Sequence, residues 1–237
     1  MRSRTPFCAA VCTGCMLAFA QPAFAQDTVE PAPAAAAQPA AEPAPTTEDP
    51  DAVPVVVTER RGGFVLGVIA GPTLGWATGN PSGKAERDNA ALEQDSGLGL
   101  GYRLTPFLGG ALTDWFTFGL GMSFANFSSG DYSSPVSTFV FHLETFPLYG
   151  QGGIYRDIGL SADFGAGAST IKDKQTDDDV ADSGVMSTVG LGAFWEALRM
   201  GHFAGGPYVG FQHNWSRWYA RDDVVVGLRL MFYGDQP

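Results

Sequence analysis

The feature that most constrains this chain is an alternation of apolar residues with glycine or polar residues, which recurs between Phe64 and Phe232. Clear copies lie at residues 97–104, where leucine or tyrosine alternates with glycine or arginine, and at residues 116–124. Successive side chains of a β-strand point to opposite faces, so this period of two predicts strands with one apolar face and one small or charged face. Because the apolar face suits lipid, we predict an all-β protein built as a transmembrane antiparallel β-barrel.

The number of alternating segments predicts about eight strands. A transmembrane strand needs only about 10 residues, and no segment after the first 25 residues approaches the ~18 apolar residues that suggest a membrane helix. A soluble β-sandwich also uses alternating strands, but its outer face would be polar, whereas the second face here is mostly glycine. We place the strands near residues 64–76, 98–112, 116–127, 138–149, 158–169, 185–196, 204–214 and 224–233.

The predicted connections alternate in length along the chain. Those at 77–96, 128–137, 170–184 and 215–223 are long and polar, whereas residues 113–115 form a very short turn. Outer-membrane barrels pair long extracellular loops with short periplasmic turns. The order of lengths therefore predicts an up-and-down barrel with both termini in the periplasm.

Residues 1–25 have the composition of a cleaved signal peptide. Arg2 and Arg4 precede an apolar stretch at 7–20, and Ala-Phe-Ala at 23–25 precedes Gln26. This order of a charged region, an apolar region and a small-residue cleavage site predicts export through the Sec pathway. A membrane helix and a lipoprotein cleavage box are the alternatives. All three cysteines lie in this segment, so its removal leaves no thiol and excludes disulfides.

Residues 26–61 are dominated by alanine and proline with scattered acids. Such a composition cannot bury enough apolar surface to offset the entropy of ordering, so we predict a disordered periplasmic linker ahead of a barrel domain at 62–237. Loss of Arg2 and Arg4 with the signal peptide takes the formal charge from −11 to −13. This acidity argues against nucleic acid as a partner.

Aromatic residues cluster near the predicted strand ends. Tryptophan and tyrosine prefer the two interfaces between membrane and water. We therefore predict two aromatic girdles, formed by Trp76, Trp115, Tyr149, Trp195, Trp215, Trp218, Tyr219 and Tyr233.

On these residues the chain resembles the small eight-stranded outer-membrane barrels, the OmpA-type transmembrane domain and its relatives, over residues 62–233. In the last strand, Gly227, Leu230 and Phe232 have the spacing of the family's C-terminal sorting signal, although the chain extends to Pro237. The resemblance implies insertion by the outer-membrane assembly machinery of a Gram-negative envelope. It also implies a monomer surrounded by outer-membrane lipids and lipopolysaccharide.

The glycine-bearing face should point into the lumen and carry several charged residues with it. Strand counting places Arg103, Glu144, Asp163 and Arg229 at a similar depth, two of each sign, so that they neutralise one another as buried ion pairs. An eight-stranded barrel is just wide enough for side chains to fill it. We predict a closed lumen, with a narrow pore or ion channel as the alternative. The predicted lumen cluster is Arg103, His142, Glu144, Asp163, Glu196 and Arg229, with Gln212 beside it.

His213 and Ser216, near Asp222 and Asp223, are loosely similar to the catalytic residues of lipid A deacylase barrels. Two residues separate the histidine from the serine, which sends their side chains to opposite faces of a strand. We therefore predict no enzyme activity, with a lipid A or phospholipid-modifying enzyme as the alternative. His213 is instead expected to be an interface residue.

The four aspartates at 177–179 and 182 match no calcium-binding motif, and a solvated acidic loop is the expected state, with calcium bridging as the alternative. No cofactor, metal site or catalytic residue is predicted. The sequence thus predicts a non-enzymatic outer-membrane barrel with a structural or surface-interaction role, whose loop ligand it does not specify.

Overall fold

The computed structural model describes residues 61–81, 88–151 and 153–235. The predicted signal peptide and the predicted linker up to residue 60 lie outside the described residues. Three short 3-10 helices, Ala90–Leu92, Tyr149–Gln151 and Gly153–Asp157, lie in connections between strands. The strands are β1 (Gly62–Gly79), β2 (Gln94–Asp95), β3 (Gly99–Thr113), β4 (Phe116–Ser129), β5 (Tyr132–Thr145), β6 (Ile158–Asp173), β7 (Asp179–Asp182), β8 (Met186–Trp195), β9 (Leu198–Met200), β10 (Phe203–Trp215) and β11 (Tyr219–Asp235).

Eight long strands close into one antiparallel barrel, which confirms the predicted fold. Each pairs with the next long strand in the sequence, and β11 pairs with both β10 and β1, so the sheet has no open long edge. The short strands β2, β7 and β9 pair with β1, β6 and β10 respectively. No described helix is long and apolar enough to cross a membrane.

The two faces that alternate in the sequence are the inner and outer faces of the barrel. In β1, Val65 and Ile69 are buried, whereas Phe64 and Leu66 are more than half exposed. Gly67 lies on the same inward face as Val65 and Ile69, and a Cβ placed on it would lie 2.2 Å from the Phe107 ring. The outward face is therefore apolar. The inward face combines glycines with large side chains, which occupy the space beside the glycines.

The two ends of the barrel differ in which chain segments they contain. The terminal end is where β1 begins and β11 ends, and the loop end is the opposite one. Each half of the lumen contains one cluster of buried apolar side chains. The cluster of the terminal half includes Val65, Phe107, Phe146, Phe194 and Tyr233. The cluster of the loop half includes Ala77, Phe127, Ile171, Met186 and Tyr219.

Two strands begin at least five residues earlier than predicted. β5 begins at Tyr132 instead of residue 138, because Gly130 adopts a positive φ of 50° and turns the chain directly from β4 into β5. β11 begins at Tyr219 instead of residue 224, so Asp222 and Asp223 lie in a strand. Both strands extend into segments that are polar on both faces, where the alternation no longer reports strand structure. The loop-end connections at 128–137 and 215–223 are consequently much shorter than expected.

Candidate functional site

The centre of the terminal half is an arginine held between two carboxylates. Arg229 Nε and Nη2 each donate to one oxygen of Glu144 at 2.6 Å, and Nη1 donates to Glu196 Oε1 at 3.0 Å. All three side chains are buried. A two-point contact between a guanidinium and a carboxylate is among the strongest ion-pair geometries in proteins. It joins β5, β11 and the chain after β8 across the interior of the barrel.

A histidine extends this ion-pair network toward the loop end. His142 Nδ1 lies 2.6 Å from Asp163 Oδ1 and Nε2 lies 3.1 Å from Glu144 Oε1. The Phe107 ring packs on the imidazole, with a 4.0 Å distance between ring centroids. Since ionised carboxylate oxygens only accept hydrogen bonds, the imidazole can satisfy both when it carries a proton on each nitrogen.

The terminal end of the network is covered by Arg61, which the sequence analysis assigned to the linker. Its guanidinium donates to Glu196 Oε2 at 2.8 Å and to Asp157 Oδ1 at 3.0 Å. It also lies over the Phe146 ring at 3.5 Å from the centroid, a cation–π contact. The backbone N–H of Arg61 donates to Asp114 Oδ1 at 2.7 Å. The residue that precedes β1 therefore caps the terminal mouth of the lumen.

Glu196 lies between β8 and β9, outside the strands, and turns into this mouth. It accepts hydrogen bonds from Arg199 Nη2 at 2.7 Å and Tyr233 Oη at 2.5 Å, in addition to those from Arg61 and Arg229. Burial alone would raise the pKa of Glu196, but the positive charges of Arg229 and Arg61 outweigh it and lower this pKa to about 2. The carboxylate is thus the charged hub of the terminal mouth.

The loop half contains a separate, smaller ion-pair group. Arg103 Nη2 donates to Asp223 Oδ1 at 2.5 Å, and Arg221 Nε lies 3.5 Å from Asp223 Oδ2. Arg221 also donates to Ser134 and lies over the Phe127 ring. The prediction that Arg103 shares one cluster with Glu144, Asp163 and Arg229 is therefore wrong.

The physical reason is the boundary of β11. Because this strand begins five residues earlier than predicted, it carries Arg221 and Asp223 on its inward face. Asp223 then lies closer to Arg103 than any carboxylate of the terminal half does, and it takes the ion pair. The parity of Arg229 along the same strand is the sequence signal that could have revealed both residues, since positions two apart share a face.

Large aromatic side chains occupy the space that inward glycines leave. A Cβ on Gly159 would lie 2.2 Å from the Phe194 ring, and one on Gly192 would lie 2.3 Å from Tyr208 Oη. Gly75 and Gly99 stand in the same relation to the Phe127 ring, each at 2.7 Å. The interior is therefore filled by aromatic rings as well as crossed by ion pairs.

The residues of the predicted aromatic girdle fall into three groups. Trp76 and Trp215 near the loop end, and Trp115 and Trp195 near the terminal end, are exposed on the outside. Tyr219 and Tyr233 are wrongly predicted as girdle residues, because their positions in β11 give them the inward parity, and both are buried in the lumen. Two further members lie at the barrel ends: the Tyr149 hydroxyl donates to Asp114 at 2.8 Å, and Trp218 Nε1 donates to Asp88 at 3.1 Å.

The residues of the predicted sorting signal lie on both faces of β11. Leu230 is 55% exposed on the outside, Phe232 packs against Phe203 on the same face, and Gly227 lies on the inward side against the backbone of β1. Their recognition by assembly machinery stays a prediction.

The structure does not join His213 and Ser216 into a catalytic pair. His213 Nδ1 lies 2.7 Å from Asp222 Oδ1, its partner in the β10–β11 pairing, and the imidazole stacks on Trp215 at 5.1 Å between centroids. Among the described residues the Ser216 hydroxyl has no hydrogen-bond partner. A serine nucleophile needs a base within hydrogen-bonding distance, and this serine lacks one.

No three histidine, cysteine, aspartate or glutamate side chains of the described residues are grouped closely enough to hold a metal ion. The acidic segment at 177–182 covers the end of the β6–β7 turn and the strand β7, where Lys172 Nζ lies 3.6 Å from Asp179. The hairpin is thus a solvated, partly neutralised surface.

No protein-family model and no curated protein matches this sequence. Solved structures with a similar shape include Ail, the attachment invasion locus protein of Yersinia pestis, with a TM-score of 0.45 and 11% identity over 71% of this chain and 98% of that one. OprG from Pseudomonas aeruginosa has a TM-score of 0.40 and 12% identity, over 75% and 100% of the two chains. Neisserial surface protein A has a TM-score of 0.40 and 10% identity, over 70% and 95%. At these values no function passes from those proteins to this chain.

Proposed function

We propose that this chain is a non-enzymatic integral outer-membrane β-barrel that is closed to ions and acts through its loop end, in a structural or surface-interaction role. The observation that carries the proposal is the buried network of Arg61, Glu196, Arg229, Glu144 and His142, which crosses the terminal half of the lumen. The apolar outward face supports a membrane location, and the charged and aromatic side chains in the lumen support closure.

The distribution of polarity is the reverse of that in a soluble barrel. Large apolar residues such as Leu100, Leu108, Phe141, Leu191 and Leu228 are exposed on the outward face, while the charged residues lie inside. A monomeric soluble protein rarely exposes a continuous apolar surface of this extent. Lipid is the solvent that suits such a face, and exposed Trp76, Trp215, Trp115 and Trp195 mark its two edges. We take the surrounding lipids, including lipopolysaccharide, as partners of this surface.

Closure is supported by the combination of charge pairing and filling. Arg229 is held by two carboxylates, Glu144 on β5 and Glu196 in the connection after β8, so moving it out of the lumen would leave both without this partner in a low-dielectric interior. The rings of Phe107, Phe194 and Tyr208 occupy the space beside the inward glycines. A conducting path would have to displace both kinds of contact at once.

The working surface of such a barrel is the loop end. The described part of the connection between β1 and β3, at 88–98, and the β6–β7 hairpin lie at this end, where the turns at Gly130 and at 216–218 are tight. Exposed acids dominate the hairpin. An enzyme role is not supported, since His213 pairs with Asp222 and does not meet Ser216.

Fractionation of cells together with gel mobility tests the membrane assignment. The membrane-extracted protein should appear in the outer membrane and should migrate differently before and after boiling, because a folded barrel resists the detergent until it is heated. A soluble product with one mobility would overturn the membrane assignment. Deacylation of purified lipid A by the wild type would overturn the non-enzymatic role, and loss of that activity in His213→Ala would place it at this residue.

A further inference from the structure

The loop half of the lumen contains one more positive charge than it can neutralise. Arg103 is 5% exposed and Arg221 is 0% exposed, yet both rely on Asp223 as their carboxylate partner. Among the described residues no other acidic side chain lies within ion-pairing distance of either guanidinium. An arginine cannot lose its proton inside a protein, so one charge of this trio stays uncompensated.

The terminal half does not compensate for this excess. Among the described residues its buried carboxylates number three, and its buried cations number three once His142 carries the two protons that its two carboxylate contacts require. The terminal half is therefore neutral by itself. The carboxylates are Glu144, Asp163 and Glu196, and the cations are Arg61, His142 and Arg229.

Buried hydrogen-bond donors in the same half also lack partners. Arg103 Nε, Arg221 Nε, Arg221 Nη2 and Thr73 Oγ1 have none among the described residues. Asp223 Oδ2, 3.5 Å from Arg221 Nε, accepts no hydrogen bond there either, but this one oxygen cannot serve all of these donors. Thr73 lies on β1, which stands between the strand of Arg103 and the strand of Asp223. Leaving a charged N–H group buried without a partner costs free energy, so the interior needs an acceptor at this place.

We propose that a small monovalent inorganic anion, chloride, binds in the loop half of the lumen between Arg103 and Arg221. A water molecule could accept the unpaired hydrogen bonds but would leave the excess charge in place, whereas an anion satisfies both. Both guanidinium groups are buried, and the apolar cluster that includes Phe127 and Met186 lies in the same half of the lumen. The site rests on the closed lumen proposed above, since an open pore would hydrate both guanidinium groups.

Chloride-dependent stability tests the site. The full mature chain, refolded in detergent micelles, is heated at constant ionic strength while chloride is replaced stepwise by gluconate, a much larger organic anion. The unfolding temperature should rise with the logarithm of the chloride concentration above the dissociation constant, as expected for a ligand that binds only the folded state. Arg221→Gln should lose this dependence. Arg199→Gln, which removes the same charge at the terminal mouth, should keep it.

Equal unfolding temperatures in chloride and gluconate, or an unchanged chloride dependence in Arg221→Gln, would overturn the site. Should Arg221→Gln fail to fold, crystals of the wild type grown in bromide decide the matter: an anomalous peak between Arg103 and Arg221 supports the site, and its absence overturns it. Conductance is a separate readout. A wild type that neither conducts ions nor responds to chloride would overturn the anion site alone. Conductance by the wild type would overturn the closed lumen.

Discussion

In the terminal half of the lumen, Arg229 is held by Glu144 and Glu196 with three hydrogen bonds, whereas in the loop half Arg103 and Arg221 share the single carboxylate of Asp223. The two halves use the same residue types and differ in how many partners each charge has. A buried pair that keeps all its partners can hold two strands together, while an under-paired charge needs a partner from solution. The terminal half is thus the seal of the barrel.

The largest effect is expected from Glu144→Ala, which leaves Arg229 and His142 without their shared carboxylate. Breaking a buried ion pair by removing one partner costs roughly 3–5 kcal/mol. The urea concentration that unfolds half of the protein in lipid vesicles, read from heat-modifiable gel bands, should fall accordingly. Asp179→Ala is the matched control, because Asp179 is exposed, its partner Lys172 is half-buried at the surface, and a surface pair contributes at most about 1 kcal/mol. Similar losses in both variants would contradict the difference between the lumen and the surface.

Arg61→Ala should have the next largest effect. It removes charged hydrogen bonds to Glu196 and Asp157, which typically contribute about 1.5–3 kcal/mol each before neighbouring groups readjust. We expect a loss of about 2 kcal/mol in the same urea experiment. Arg61→Lys keeps the charge and should recover part of the loss. An unaffected midpoint would show that the residue before β1 does not cap the terminal mouth.

Gly67→Ala tests the filling of the lumen apart from its charges. The added methyl would lie 2.2 Å from the Phe107 ring and 2.4 Å from Met231 Sδ, and overpacking of this kind costs roughly 1–3 kcal/mol. Adding Phe107→Leu should restore part of the stability by making room. Gly150→Ala is the control, because no heavy atom lies within 4 Å of its Cβ position. If Gly67→Ala is as stable as Gly150→Ala, the Phe107 ring does not fill the space beside Gly67.

The smallest effect is expected on mild acidification. The pKa of Glu196 is lowered to about 2 in the folded protein, so its charge stabilises the fold above the ordinary glutamate pKa and that contribution fades as the pH falls toward 2. Between pH 7 and pH 4 the loss should be about 1 kcal/mol. Glu196→Gln should be less stable than the wild type at pH 7 and less sensitive to this pH change. If Glu196→Gln loses as much stability on acidification as the wild type, the protonation of Glu196 does not cause the loss.

The sequence predicts the fold well because alternation is the physical signature of a strand between lipid and a lumen. It places Glu144 and Arg229 on the inward face for the same reason. It misses Arg61, because the composition of the linker conceals a residue that folds back into the barrel. It also misses Asp223, since the strand there continues beyond the apolar band, where both faces are polar and the alternation ends. The inward position of Tyr233 could have been predicted from its parity, since it lies four residues after Arg229 on the same strand, although its residue type suggested the membrane interface.

The closed lumen is tested most directly by single-channel recording of the membrane-extracted wild-type protein in planar lipid bilayers. The terminal seal predicts no reproducible conductance from the wild type, and brief openings when Glu144→Ala removes the carboxylate that holds Arg229. Reproducible wild-type conductance that is lost on Arg103→Ala or Glu144→Ala would contradict the seal, because these side chains would then line a path for ions instead of blocking it.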